Sequence, residues 1–505
     1  MKKVIRRVLI LIPAVLLQLL WIFLLAHWLA PWAGLINLAL SILALLAVLF
    51  IITKRDEGTY KILWLLVILT FPIAGALLYL ILGNRRSTRP LQKRLSAARP
   101  YPAGTDDTGA LCDALGREAP RMAETFRYLH TLTGCPLYVN REATYYPLGD
   151  LLFPVMLEEM KKAEKYIFVE YFIVERGVMW DSMVDIMAEK AAHGVDVRVM
   201  YDDLGSISTY SDQNVRELRA KGIQCIPFNP LRSIRGTVNY RDHRKMLIID
   251  GRVAFSGGVN LADEYINQVE KFGHWKDIGF RLTGEAVEGY ARMFTEFWNA
   301  FSGEPIPADL LSAPPAPADP APADGYILSY YDSPLRPSAA SNELYIELLS
   351  QAKSCAWFFT PYLMPGDALM DAFCRAARRG VDVRIIMPGV PDKAIVFRMS
   401  HSFYSVLLEA GVKIYEYVPG FIHAKACVVD DMVGAVGTVN LDYRSLFLHF
   451  ENNSLFYGAS LLKDVKADFL ATQEKCRRME LGKNVKSGFW SWTVDGVLRI
   501  LAPLC

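Results

Sequence analysis

No Cys-x-x-Cys pair occurs among the eight cysteines, and none stands at a metal-ligand spacing, which removes zinc modules and redox dithiols from consideration. Cys225, Cys355 and Cys427 fall instead in apolar, strand-like runs, where a thiol is an inert small hydrophobe. A basic surplus is also missing. The formal charge is +2, and residues 1–83 hold Lys2, Lys3, Arg6, Arg7, Lys54, Arg55 and Lys61 against Asp56 and Glu57, a balance of +5 that leaves −3 for the remainder. A protein that neutralises a nucleic-acid backbone needs the opposite balance, so no nucleic-acid partner is expected. A shortage of apolar residues is absent too: 52% of the 505 residues are hydrophobic, enough for an anchor and two lobes with cores of their own.

Three long apolar stretches open the chain, roughly Val8 to Leu29, Trp32 to Thr53 and Ile62 to Leu82. Each is long enough to cross ~30 Å of hydrocarbon. The first follows four cations but exceeds the ~7–15-residue core of a signal peptide. With Trp28, Pro31, Trp32 and Gly34 between the first two stretches, a hairpin or a re-entrant pair is also compatible, and two or three crossings stay open. The flanking cations do not orient the anchor. Residues 1–83 are thus expected as a transmembrane anchor, 84–135 as an amphipathic connection, 136–303 as a first lobe, 304–325 as a Pro/Ala-rich linker and 326–505 as a second lobe.

The two lobes repeat one another. Tyr166 to Phe172 and Ala356 to Tyr362 are apolar strands, each leading through a helix to a shared Gly-Val-Asp-Val-Arg, at Gly194 and Gly380. Further strands, Ile223 to Phe228 and Val412 to Tyr417, lead on to His243-Arg-Lys245-x4-Asp250 and His423-Ala-Lys425-x4-Asp430. Gly257, Gly258 and Asn260 follow the first motif, and Gly437, Thr438 and Asn440 follow the second at the same spacing. Strands alternating with helices predict an α/β fold used twice, each sheet flanked by helices.

A strand turns residues i and i+2 to one face, so each histidine is expected beside its lysine. The apolar runs Met246 to Ile249 and Ala426 to Val429 carry the strand into the core, and Asp250 or Asp430 ends it at a turn, more as architecture than as chemistry. Glycine at 257, 258 and 437 clears space where backbone passes close to a neighbour, and Asn260 and Asn440 can donate to an oxyanion. Displacement at a phosphodiester needs a nucleophile on one side of phosphorus and a proton donor on the other. Two histidines supply both, and two lysines and two asparagines can neutralise the phosphoryl oxygens without a metal or other cofactor. The histidines must differ in protonation, so carboxylates that orient them matter; Glu451 and Asp277, each downstream of its motif, are the candidates.

At these residues the sequence resembles the phospholipase D superfamily, and within it the bacterial cardiolipin synthases. The first lobe does so through Glu170-Tyr-Phe172, Asn239 to Lys245, Gly257 to Tyr265 and Gly273-His-Trp-Lys-Asp277; the second through Thr360-Pro-Tyr362, Phe421 to Lys425 and Asn440 to Ser445 with Glu451. Trp64 to Leu69, Pro72, Gly75 and Leu80 to Gly83 extend it to the anchor. The resemblance implies two phospholipase-D-like lobes around one pseudo-twofold site. It implies phosphatidyl transfer between two phosphatidylglycerol molecules, giving cardiolipin and glycerol through a phosphatidyl-histidine, at a multi-pass cell-membrane protein with its lobes on the cytoplasmic side. His243 would be the nucleophile and His423 the general acid, later base, with Glu170 in the pocket unless it caps a strand end. Another acceptor, or hydrolysis, stays open. Nucleotide-activated lipid chemistry is disfavoured, since no Asp-Gly-x-x-Ala-Arg occurs. His274 reads equally as a head-group contact or a locally bonded edge residue, Trp180, Trp298 and Trp357 as core, and Phe489 to Leu504 as lying on the bilayer or packing on a lobe. Oligomeric state is not encoded in these patterns.

Overall fold

A computed structural model describes residues 16–17, 19–21, 23–24, 30–54, 56–83, 88–102, 106–230, 239–311, 321–485 and 489–504. The sequence repeat is a repeat of sheets. In the first, seven strands lie in the order Glu142–Tyr146, Gly279–Thr283, Val253–Gly257, Met246–Ile249, Tyr166–Tyr171, Asp196–Asp202 and Gln224–Phe228. The second places Tyr326–Asp332, Glu451–Tyr457, Val433–Gly437, Ala426–Val429, Cys355–Phe359, Asp382–Pro388 and Lys413–Tyr417 in the corresponding order, with Tyr138–Val139 and Cys476–Arg478 added at its edges. Each sheet has a parallel half, reached through helices, and an antiparallel half that contains the motif strand.

The motif strands are short and wholly apolar because both of their faces are covered. Outer helices cover one face: in the first lobe Met156, Met160, Trp180 and Met187 pack on Ile167, Val169 and Leu247. The inner faces share a single core, in which Phe168, Ile248 and Phe280 of the first sheet and Trp357, Phe359 and Val428 of the second join the helix Val287–Phe301. The lobes are therefore fused, and the seam between the sheets is a fixed surface. Trp180, Trp298 and Trp357 are core residues, as expected.

Two segments differ from the sequence-based expectation, and for a third the structure shows one of the two readings left open. The amphipathic stretch within 84–135 forms helices Thr108–Leu115 and Pro120–Thr133, whose Cys112, Met122, Phe126 and Leu129 pack into the outer core of the second lobe with Leu328, Leu344 and Phe358. Together with Tyr138–Val139 it completes that lobe. The third apolar stretch is not one helix. Gly58–Thr70 stops where Phe71 leaves helical geometry ahead of Pro72, and Pro72–Leu78 and a π-helical turn Tyr79–Gly83 follow, because proline restricts the residue before it. Tyr60, Trp64, Ile68 and Tyr79 of this hairpin bury themselves against Tyr443 and Leu448 of the second lobe. The C-terminal helix Phe489–Leu501 packs rather than lying free: Arg398 and Asp495 form an ion pair at 2.8 Å, and Arg499 donates to the Ser402 carbonyl at 2.9 Å.

Among the described residues, one helix, Gly34–Ile52, is long and apolar enough to cross a membrane. The stretch from Val8 to Leu29 falls mostly outside the described residues, as does 312–320 of the Pro/Ala-rich segment.

Candidate active site

Each motif is held by its aspartate at the end of the strand away from the histidine. Asp250 (φ 55°) accepts from the backbone N–H of Glu164, Lys165 and Tyr166 at 2.8–2.9 Å. Asp430 (φ 51°) accepts from Lys353, Ser354 and Cys355 at 2.7–3.0 Å. These bonds tie the motif strand to the start of its antiparallel neighbour, the first strand of the sheet's parallel half. Each aspartate stands five residues beyond its lysine, ~17 Å of extended chain, so neither carboxylate meets the reacting atoms. Asp250 and Asp430, members of the His-x-Lys-x4-Asp motifs, act here on the architecture of the motif strands and not as catalytic groups.

The histidines and lysines occupy the extended residues just before the motif strands, not the strands themselves. There the backbone pairs across the seam. His243 N–H donates to the Phe450 carbonyl at 2.8 Å and His423 N–H to the Lys276 carbonyl at 2.7 Å, while Gly420–Ile422 runs parallel to His274–Lys276. The carboxylates consequently exchange lobes. His243 Nδ1 donates to Glu451 Oε2 at 2.8 Å, and His423 Nδ1 donates to Asp277 Oδ2 at 2.6 Å. Spacing along the chain paired each carboxylate with the motif upstream of it; in three dimensions each serves the other motif. An Nδ1–H held by a carboxylate leaves Nε2 of each ring as the free nitrogen.

The histidines open onto a cleft of about 630 Å³ at the seam, lined also by Asn260, Asn440, Tyr265, Asp442 and His449. Asn260 is fixed by accepting from Ile173 N–H at 3.1 Å and donating to Tyr265 Oη at 2.8 Å. Asn440 donates its backbone N–H to Ser445 Oγ at 2.8 Å, and its buried side-chain oxygen has no protein partner. Lys245 and Lys425 are 1% and 2% exposed, and each ammonium donates to the carbonyl of its own histidine, Lys245 at 2.7 Å.

Removing these cations from water favours their neutral forms. Burial, then Lys245 and Lys425, holds the His243 imidazole well below its ordinary range; burial, then the same lysines, does so for His423. Burial brings Lys245 down to about 8 and Lys425 to about 7, against the pull of Asp277 and Glu451, and pushes Asp277 up to about 7. A bound phosphodiester anion would favour the charged forms of the lysines and of one histidine.

The two halves differ in their support. Glu451 also accepts from Thr438 Oγ1 at 2.5 Å and Ser445 Oγ at 2.6 Å. At the position matching Thr438, a Cβ on Gly258 would collide with Asp277 Oδ1, so the glycine makes room for the carboxylate. Gly257 and Gly437 likewise let the adjoining strand's carbonyl, Ile278 or Asn452, pass close. Glu170 is not in the cleft. It is fully buried and paired with Arg244, whose guanidinium also holds Asp242 at 2.9 Å and lies 3.4 Å from the Phe297 ring centroid. This ionic cluster props the back of the first motif, and neither the pocket nor the strand-end reading of Glu170 holds. His274 bonds Tyr417 Oη at 3.1 Å within the seam, the local reading.

Sequence reasoning missed His449 and Ser445. His449 Nε2 accepts from Arg444 at 3.3 Å, and its ring centroid lies 5.7 Å from that of His243. Its only signal was a place two residues before Glu451. His243, His449 and Glu451 bring ligand atoms within 4.8 Å of one another, but the Glu451 oxygens are already engaged by His243, Thr438 and Ser445, which suits a hydrogen-bonded dyad better than a metal centre.

A family model described as cardiolipin synthase, phospholipase-D-like domain, matches residues 156–298 and 345–472, and one described as phospholipase D-nuclease N-terminal matches 39–84. A cardiolipin synthase of Alkalihalophilus pseudofirmus is 33% identical, covering 92% of this chain and 93% of that protein. Cardiolipin synthase 2 of Bacillus anthracis is 33% identical over 90% of this chain and 88% of its own. An uncharacterised protein of Streptococcus mutans is 40% identical over 91% of this chain and 99% of its own. The crystal structure of a phosphatidylserine synthase from Haemophilus influenzae superimposes with a TM-score of 0.56 at 16% identity, covering 75% of this chain and 98% of that one. At that identity the likeness speaks for the fold.

Proposed function

Because this chain belongs to the cardiolipin synthase family with phospholipase-D-like domains, we propose that it is a phosphatidyltransferase that makes cardiolipin and glycerol from two phosphatidylglycerol molecules. The observation that carries the reading is the exchange of carboxylates across the seam: each histidine takes its partner from the other lobe, so only the fused pair makes a site. In the first step His243 Nε2 attacks phosphorus, the bond to the glycerol oxygen breaks, and His423 gives that oxygen its proton. In the second, a hydroxyl of another phosphatidylglycerol attacks, its proton passes to His423, and the phosphorus–nitrogen bond breaks to return His243 neutral. Lys245, Lys425, Asn260 and Asn440 hold the phosphoryl oxygens, Glu451 and Asp277 stabilise whichever imidazolium forms, and Asp250 and Asp430 keep the motif strands in place.

The anchor within residues 1–83 makes this a multi-pass cell-membrane protein whose lobes face the cytoplasm, separated in sequence by the 304–325 linker, with helices of 108–133 and Tyr138–Val139 added to the second lobe. The helix Gly34–Ile52 supports the anchor, and labelling of introduced cysteines from either side of the membrane tests the orientation. Incubating the full-length protein with phosphatidylglycerol vesicles and weighing the lipids by mass spectrometry tests the reaction. Cardiolipin with equimolar glycerol is expected; phosphatidic acid without cardiolipin would mean hydrolysis, and neither product would overturn the assignment.

A further inference from the structure

A second, smaller cavity of about 240 Å³ lies beside the catalytic cleft, between the second lobe, the anchor hairpin and the C-terminal helix. Its walls are mainly apolar, from Met364, Met370, Phe403, Val406, Ala502 and Pro503; Thr59, in the first turn of Gly58–Thr70, Asp367 and Arg499 add polar groups, and the Arg499 guanidinium is turned to the Ser402 carbonyl.

Two features join it to the cleft. Met364 lines both cavities. It sits in the two-residue strand Leu363–Met364, paired in register with Leu441–Asp442, so it is fixed next to Asn440 and Asp442 of the cleft. The chain also passes from one cavity to the other in one residue, since Asp442 lines the cleft and Tyr443 the pocket. Tyr443 in turn stacks on Tyr60 of the hairpin, with ring centroids 5.6 Å apart and planes at 11°. The elements around the pocket carry exposed apolar side chains. Gly58–Thr70 directly follows the helix long enough to cross a membrane, and Val494, Val497 and Ile395, on the C-terminal helix and the helix Ala394–Ser402 beside it, are each about half or more exposed. A flexible thioether wall suits a ligand whose shape varies.

We propose that this pocket is an acyl-chain site: it takes the glycerol-proximal part of one hydrocarbon tail of the phospholipid whose phosphate occupies the cleft, the tail passing Met364 on its way back to the bilayer beside the anchor. The inference rests on the phospholipid-transfer reading above. The cleft provides the donors for a phosphate, and Met364 continues the apolar side of its lining, with Val396 and Phe421, into the pocket, so one tail of a diacyl substrate can leave the cleft along apolar surface.

The test uses the full-length protein in vesicles of phosphatidylglycerol carrying a photoactivatable diazirine near the start of the sn-2 chain, with adducts mapped by mass spectrometry. Adducts on Met364, Met370, Phe403 or Val406 are expected. Val406→Trp and Ala502→Trp, which fill the pocket from separate elements, should remove those adducts while leaving adducts on Ala33–Ile52. Labelling confined to the anchor would overturn the proposal. In a parallel assay the ratio of turnover on dioleoyl- to dihexanoyl-phosphatidylglycerol should fall more than tenfold in either variant; an equal loss on both lipids would also overturn it. If the unmodified protein turned over neither lipid, the catalytic assignment would fail, while the adduct map would still decide whether the pocket takes a tail.

Discussion

The half of the site around His243 and the half around His423 come from one repeated sequence and are built to one plan, yet they are not equivalent. The carboxylate facing His243 is a glutamate held by two hydroxyls, Thr438 and Ser445. The carboxylate facing His423 is an aspartate steadied by its own chain, through the Ile278 N–H at 2.8 Å, and burial pushes it up to about 7. The first arrangement fixes the position of a carboxylate beside an imidazole through two hydroxyl donors, which suits a ring that becomes cationic when it bonds to phosphorus. The second lets a proton be shared between ring and carboxylate, which suits a group that gives a proton away and takes one back. Duplication supplied the symmetry, and one carbon of side-chain length with two hydroxyl donors divided the labour.

The sharpest way to break this comparison is to remove each imidazole in turn. His243→Ala should abolish transfer, a loss of roughly 10⁴-fold or more as expected for a nucleophile. His423→Ala should lose on the order of 10²–10⁴-fold on phosphatidylglycerol, but should recover on a phosphatidyl ester of p-nitrophenol, whose leaving group needs no proton. Burst kinetics with that ester separate the two. A burst in His243→Ala and none in His423→Ala would reverse the roles.

Amide replacements probe the same contrast more gently. Glu451→Gln should lower kcat by on the order of 10³–10⁴-fold, the cost of losing tautomer control over a catalytic imidazole. Asp277→Asn should cost less, because a carboxylate raised to about 7 is already part-protonated near neutrality. Equal losses with the same pH profile would remove the proposed division. Smaller again is Thr438→Val, which removes a hydroxyl bonded to Glu451 and to the Asn452 backbone; the bond to Glu451 is worth about 1.5–3 kcal/mol, and its loss should reduce kcat without altering the fold by circular dichroism. Gly258→Ala should instead act on stability, since its Cβ collides with the Asp277 carboxylate; overpacking of this kind costs about 1–3 kcal/mol, visible as a lowered Tm.

The features legible in the sequence are those set by spacing within one strand or one repeat. His243, Lys245, Gly257 and Asn260 recur at the spacing of His423, Lys425, Gly437 and Asn440 because the same strand pair positions them, and the paired sheets follow from the same repeat. What lay across the seam was not legible. The amino-acid order places Glu451 after His423, but only the parallel pairing of Phe450 with the His243 segment brings it to the other ring. Glu170 misled because a strand buried on both faces offers a carboxylate either the cleft or the core, and Arg244 decided for the core. The helices Thr108–Leu115 and Pro120–Thr133 declared an apolar face without declaring which sheet it would cover.

The lysines provide the smallest and most continuous test, since they serve both halves at once. Each is depressed by burial, Lys245 to about 8 and Lys425 to about 7, so each carries its charge below that value and loses it as pH rises through it. Affinity for a phosphate mimic such as tungstate should therefore be highest on the acid side and fall across pH 7 to 8, with each lysine contributing up to about tenfold per pH unit beyond its own pKa. Lys425→Met should weaken binding at pH 6 and remove the lower inflection while leaving the one near 8; Lys245→Met should do the converse. Isothermal titration calorimetry at several pH values would reveal this, and an affinity flat from pH 6 to 9 would mean that bound anion and lysines do not share the site. If Lys425→Met also shifted the His423 limb of the pH–rate profile more than the His243 limb, the electrostatic division between the halves would extend from the carboxylates to the cations beneath them.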